Sequence, residues 1–204
     1  MKPRPYVLDG AGFLITGFPN SGKSLLWDML QHTLYRHAFD KGAWAGIRNG
    51  VVSKFASAVF SWPKFQPTQN CVIMIRDPRE LLNYKADSGE YILSAHGSNV
   101  KCAKQCGLIE WWRAIQALKG ALVIRFDHLV SRPDQVQAQL AERLGIDYQD
   151  DRRFSDVKPN NPGGVLTQEQ ENRIKSQLFE HPDLVEVFSE MGYPYQLNSR
   201  RNAA

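Results

Sequence analysis

Residues 13–30 read FLITGFPNSGKSLLWDML, and this stretch limits the possible folds more than any other. An apolar run leads into Gly17; four residues later come Gly22, Lys23 and Ser24, and then Leu25, Leu26, Met29, Leu30 and Leu34 recur at helical spacing. A buried strand, a glycine-bracketed turn and an amphipathic helix in that order predict a phosphate-binding loop in an α/β sheet. Gly17 and Gly22 allow the backbone to turn so that successive amide N–H groups face one anion, and the following helix adds its positive end. Lys23 supplies a point charge, and Ser24 a hydroxyl for a phosphate oxygen or a bound Mg²⁺.

The rest of the chain repeats the alternation. CVIMI at 71–75 and ALVIRF at 121–126 are apolar throughout, as strands covered on both faces are, and GVVSKF at 50–55 is a weaker fourth candidate. Val136, Leu140 and Leu144 mark a helix between Pro133 and Gly145, and TQEQ from Thr167 is a capping box opening a helix through Ile174 and Leu178. The expected architecture is α/β: three layers around a central, mainly parallel sheet, in one domain spanning 1–204. Its core covers about 10–195, and 196–204 form a frayed tail.

Composition excludes several classes. The net charge of +4 comes without any run of five like charges, so no nucleic-acid arm is expected. Cys71 reads as core within its apolar run, and His96, Cys102 and Cys106 lack a fourth partner and zinc-like pairing, so no metal is expected. No segment has the length of a signal peptide or a membrane span, which points to a cytoplasmic protein.

The strand CVIMI ends in Arg76, followed by Asp77 and Pro78. An ATP or GTP enzyme calls for an acidic residue near such a position to hold Mg²⁺. An arginine there points into the crevice where open α/β sheets bind ligands, and its fork suits a second phosphate. Asp77 is either a metal ligand or, standing before Pro78, the residue that turns the chain, and the second is expected. Two anion sites on neighbouring strands imply a nucleotide phosphorylated at two places.

Four segments carry a more specific likeness: PNSGKS at 19–24, RDPRE at 76–80, RFDHLVSRPDQVQAQLAERLG at 125–145, and the closing LTQEQENRIKSQLFEHPDLVEVFSEMGYP at 166–194. In their order and spacing they resemble sulfotransferases that use PAPS (3′-phosphoadenosine 5′-phosphosulfate), in particular small bacterial-type members. The resemblance implies that Gly17, Pro19, Asn20, Ser21, Gly22, Lys23 and Ser24 hold the 5′-phosphosulfate, and that Arg76 with Tyr84 holds the 3′-phosphate. PAPS would be the donor and PAP the product. The acceptor would be a small molecule, glycan or lipid. Asn20 replaces the family's basic loop residue, Lys23 its threonine and Tyr84 its serine, while KFA at 54–56 replaces a KTH element that supplies a histidine base. The final R-K-G element is not recognisable, and only Arg152 or Arg153 could stand in for it. Eleven residues after Gly17, where heparan sulfate sulfotransferases carry a glutamate base, stands Asp28. Lys23, Asp28 and Lys54 are the catalytic candidates. Trp44, Phe55, Phe60, Trp62 and Phe65 serve either the acceptor cleft or the core. Two alternatives stay open: a P-loop kinase or NTPase using ATP and Mg²⁺, and a non-catalytic protein that binds PAP or PAPS.

Overall fold

The computed structural model describes residues 12–34, 38–41, 51–54, 70–85, 87–97, 107–149, 151–160 and 163–195. The expectations for Trp44, Phe55, Phe60, Trp62, Phe65, Cys102, Cys106 and the tail lie outside the described residues.

Five strands pair in parallel: β1 (Phe13–Gly17), β2 (Ala38–Lys41), β3 (Val51–Lys54), β4 (Cys71–Ile75) and β5 (Leu122–Arg125), in the order β2-β3-β1-β4-β5. Among the described residues the helices are α1 (Lys23–Thr33), α2 (Pro78–Leu82), α3 (Leu108–Gln116), α4 (Phe126–Ser131), α5 (Pro133–Leu144), α6 (Gln168–Glu180) and α7 (Leu184–Glu190), with a 3-10 turn at Phe154–Asp156. Among the described residues no helix is long and apolar enough to cross a membrane.

The alternating direction of strand side chains divides the core into two layers. Leu14, Cys71, Ile73 and Ile75 pack with α2, α3, α6 and α7 on one face. Phe13, Ile15, Val52, Val72, Met74 and Ile124 pack with α1, α4 and α5 on the other. This is the three-layer α/β fold that the apolar runs predict. β1 and β4 are buried along their whole length because each has a strand on either side and helices above and below. β5, also read from the sequence as a buried strand, is an edge strand, and Val123 is exposed. β2 escaped the sequence reading because AFDK is half polar; it is held by its pairing with β3.

Helix ends follow local chemistry. Asp77 turns the chain as expected: it caps α2, accepting from the Arg79 N–H at 2.9 Å, with Pro78 in the first turn. Gly145 closes α5 in the left-handed conformation. At α6 the capping box forms in both directions, Gln170 N–H to Thr167 Oγ1 at 3.3 Å and Thr167 N–H to Gln170 Oε1 at 2.9 Å. The GYP segment is clamped to β5. Arg125 donates to Gly192 O at 2.7 Å and to Asp127, and the Tyr193 hydroxyl donates to Asp127 Oδ1 at 2.6 Å.

Candidate functional site

β1 delivers Gly17 to the carboxyl edge of the sheet at φ +142°, where a Cβ would stand 2.4 Å from Met74 O and 2.7 Å from Ser21 Oγ. Only glycine allows the loop to leave β1 so close to β4. Asn20 takes the left-handed conformation at φ +64°, which its short amide side chain tolerates better than most. Gly22, at φ +95°, is the N-cap of α1 and lies against Phe126: a Cβ there would meet its ring at 2.3 Å.

No side chain caps the N-terminus of α1, and its first turn contains no acidic residue. Its leading N–H groups and the positive end of its dipole therefore face the loop mouth, the arrangement that accepts an anion. The Lys23 ammonium folds back into the loop, donating to Phe18 O and lying 3.5 Å from Ser21 Oγ. Burial, reinforced by the nearby Lys54 charge, lowers its pKa from 10.5 to about 7. Lys54, at the end of β3, donates to Ser24 Oγ at 3.3 Å and sits over the Trp27 ring at 5.2 Å. Two ammonium groups thus stand at the loop's serines, Lys23 near Ser21 and Lys54 on Ser24.

Arg76 leaves β4 beside this loop. It is 3% exposed, donates through Nη1 to Asn20 O at 3.3 Å, meets Glu80 Oε2 through Nη2 at 2.5 Å, and lies 4.1 Å over the Phe126 ring. Among the described residues its buried Nε has no hydrogen-bond partner. A buried unsatisfied donor costs roughly 1–3 kcal/mol, so this one N–H stands ready for an acceptor.

These groups open onto one cavity of about 190 Å³, lined by Asn20, Gly22, Lys23, Ser24, Leu25, Asp28, Arg76, Phe126, Lys158, Pro159 and Asn160. Asp28 is exposed, one helical turn beyond Ser24, and lines the cavity with it. Gly17, Pro19 and Ser21 shape the loop behind this wall, and Ser21 is fully buried. Lys54 reaches the site through Ser24. Tyr84 follows the C-cap of α2 and is absent from the cavity wall.

The sequence reading missed Phe126 and the segment 158–160. Neither Arg152 nor Arg153 lines this cavity. Arg152 donates to His32 O at 3.0 Å, and Arg153 stands at the start of the 3-10 turn. Lys158 is the basic residue that reaches it. The Pro- and Asn-rich run VKPNN marked a loop, and its lysine was the available signal. His96 is turned to Glu110 at 2.6 Å, away from this wall. Among the described residues no group of three or more His, Cys, Asp or Glu side chains is arranged to hold a metal ion.

No protein-family model matches the chain, and no curated protein matches it in sequence. Solved structures do. The fold is sulfotransferase-like, similar at a TM-score of 0.55 and 11% identity, over 91% of this chain and 87% of the other, to mouse sulfotransferase SULT7A1 complexed with PAP.

Proposed function

We propose that the protein moves a sulfuryl group from PAPS to an acceptor hydroxyl or amine and releases PAP. One observation carries this reading: the buried Arg76, with an unsatisfied Nε, stands on the strand next to the anion-binding loop and shares its cavity. Two separated cationic centres fit a nucleotide with phosphates at two positions better than one with a single polyphosphate chain. The sulfotransferase-like fold supports the same reading.

In the proposed reaction the α1 N-terminus, Lys23 and the loop N–H groups hold the 5′-phosphosulfate, and Arg76 holds the 3′-phosphate. Attack by the acceptor oxygen or nitrogen forms the new bond to sulfur as the bond from sulfur to the 5′-phosphate oxygen breaks. Negative charge gathers on that leaving oxygen, where Lys23 and the loop N–H groups stabilise it. Lys54, held on Ser24 Oγ, faces the transferred group. Asp28 takes the proton from the acceptor. A cytoplasmic setting and a small-molecule, glycan or lipid acceptor complete the reading.

The intact G-x-x-x-x-G-K-S spacing favours a kinase or NTPase as the second reading. Two contacts speak against it. The Asp77 carboxylate, nearest in sequence to a metal-holding position on β4, is engaged by Arg79 through Nε at 2.9 Å to both oxygens. Ser24 Oγ, the hydroxyl that would hold Mg²⁺, already accepts from Lys54. A thermal-shift panel of PAP, PAPS, AMP, ADP, ATP and GTP, with and without Mg²⁺, tests the choice. PAP should raise the melting temperature without metal, and by more than AMP or ADP. Equal shifts from ADP and PAP, or a strict need for Mg²⁺, would establish the kinase reading. Tight PAPS binding with no acceptor ever sulfated would identify a non-catalytic binding protein.

A further inference from the structure

Arg76 is not idle in the free protein. Its Nη2 is held by Glu80, four residues on and in the first turn of α2, and Glu80 keeps about a quarter of its side chain exposed. Behind Glu80 lies a second cavity of about 230 Å³, bounded by Asp77, Arg79, Gly164, Val165, Leu166 and Glu171. Gly163, at φ +105°, lies against the pair: a Cβ there would lie 3.1 Å from Glu80 Oε1 and 3.7 Å from Arg76 Nη2. The carboxylate therefore lines this second cavity, while the guanidinium it holds lines the first.

From this placement we infer that Glu80 is an internal stand-in for the second phosphate of the nucleotide, displaced into the adjoining cavity when that phosphate binds. The inference rests on the proposed PAPS reading and adds a residue that sets its selectivity. A guanidinium can serve a phosphate in the two-pronged fashion only along an edge that pairs Nε with an Nη nitrogen or along the edge between the two Nη nitrogens. Nε is vacant, Nη1 is lightly held by a backbone carbonyl, and Nη2 carries Glu80. A phosphate that takes the Nε–Nη2 edge must evict the carboxylate, because two anions on one donor repel strongly in a dry site. Glu80 has somewhere to go, since the adjoining cavity contains Arg79, whose guanidinium already feels the Glu80 charge. The Phe126 face holds the Arg76 plane throughout the exchange. While the site is empty, Glu80 keeps a buried cation neutralised. When it is filled, Glu80 remains a nearby competitor that lowers affinity for the second phosphate and eases departure of the product.

The substitution Glu80→Gln keeps the length and the hydrogen bond to Nη2 and removes the charge. Isothermal titration of the full chain with PAP and with 5′-AMP is the test. PAP affinity should rise by roughly tenfold or more, as expected for losing one close like-charge contact, with 5′-AMP affinity within about twofold of the parent. The free variant should melt lower than the parent, and the PAP-induced rise should be larger, because PAP replaces the missing counter-ion. Glu80→Asp, one methylene shorter, should fall between the two and serves as the readout if Glu80→Gln fails to fold. PAP binding that is unchanged or weaker in Glu80→Gln, beside a parent that prefers PAP to 5′-AMP, overturns the stand-in and leaves the nucleotide reading intact. A parent that binds PAP no better than 5′-AMP overturns both.

Discussion

On the proposed function, the lowered pKa of Lys23 makes nucleotide affinity depend on pH in a calculable way. In the free protein its ammonium is folded into the loop beside Lys54 and titrates near 7 rather than 10.5. On the proposed assignment a bound phosphate supplies the opposite charge and restores an ordinary lysine pKa of about 10. Between those values, binding must take up a proton. Affinity then falls with the fraction of protein still protonated, so moving from pH 7 to pH 9 weakens binding by roughly fiftyfold, from a half-protonated site to one protonated about one time in a hundred. Phosphate groups stay dianionic across this window, so the slope belongs to the protein. The free fold shows the opposite trend. Its Lys23 binds fewer protons than in the unfolded chain between pH 7 and 10.5, so this contribution raises stability as pH rises through that window. Below pH 7 the cost of burying the charge is fully present. Titration calorimetry with PAP in two buffers of different ionisation enthalpy, at pH 7, 8 and 9, counts the protons directly. Uptake should approach one per PAP at pH 9, and Lys23→Met should abolish both uptake and slope. A flat affinity from pH 7 to 9, or the same slope in Lys23→Met, would refute the reasoning.

Other expectations follow from the same geometry. Asp28→Asn keeps the shape of α1 but cannot accept a proton; turnover should drop on the order of a hundredfold or more, with PAP affinity intact by titration. Arg76→Met should lower PAP affinity at least tenfold, by roughly 1.5–3 kcal/mol, and erase the preference for PAP over ADP in the thermal-shift panel. Gly22→Ala combines a strained φ of +95° with a collision against Phe126; chemical denaturation should report a loss of roughly 2–4 kcal/mol, and a neutral outcome would mean that the loop moves freely. Thr167→Ala removes one arm of the α6 capping box and should cost about 1 kcal/mol by the same assay, without changing PAP binding.

What the sequence disclosed and what it withheld divide along physical lines. β1 and β4 were readable because central strands are apolar on both faces, and the loop between β1 and α1 because its glycines have no substitute at those φ angles. α1, α5 and α6 were readable from periodicity and caps. β2 was hidden, since four residues held by strand pairing leave no pattern of their own. The far wall of the cavity was hidden for a similar reason. Lys158 reaches it because the preceding 3-10 turn is pinned to α5, with Phe154 N–H donating to Gln137 Oε1 at 2.8 Å and Ser155 N–H to Asp134 Oδ1 at 3.1 Å. Nothing local to VKPNN encodes that anchorage. Arg152 and Arg153, nearer in the chain to the 3-10 turn, point elsewhere for the same reason.

The pairing of β1 with β4 has one more consequence. Their register sets Gly17 opposite Met74, so the anion loop and Arg76 issue from adjacent strands at a fixed offset. On the proposed assignment the sheet is a ruler: strand spacing of about 4.8 Å and the two-residue step from Met74 to Arg76 fix how far apart the two charges of the ligand must lie. A slip of one residue between these strands would not merely change that distance. It would turn Arg76 to the other face of the sheet and bring Ile75 toward the cavity, so the hydrophobic core, which forbids the slip, also sets the gauge of the proposed ligand.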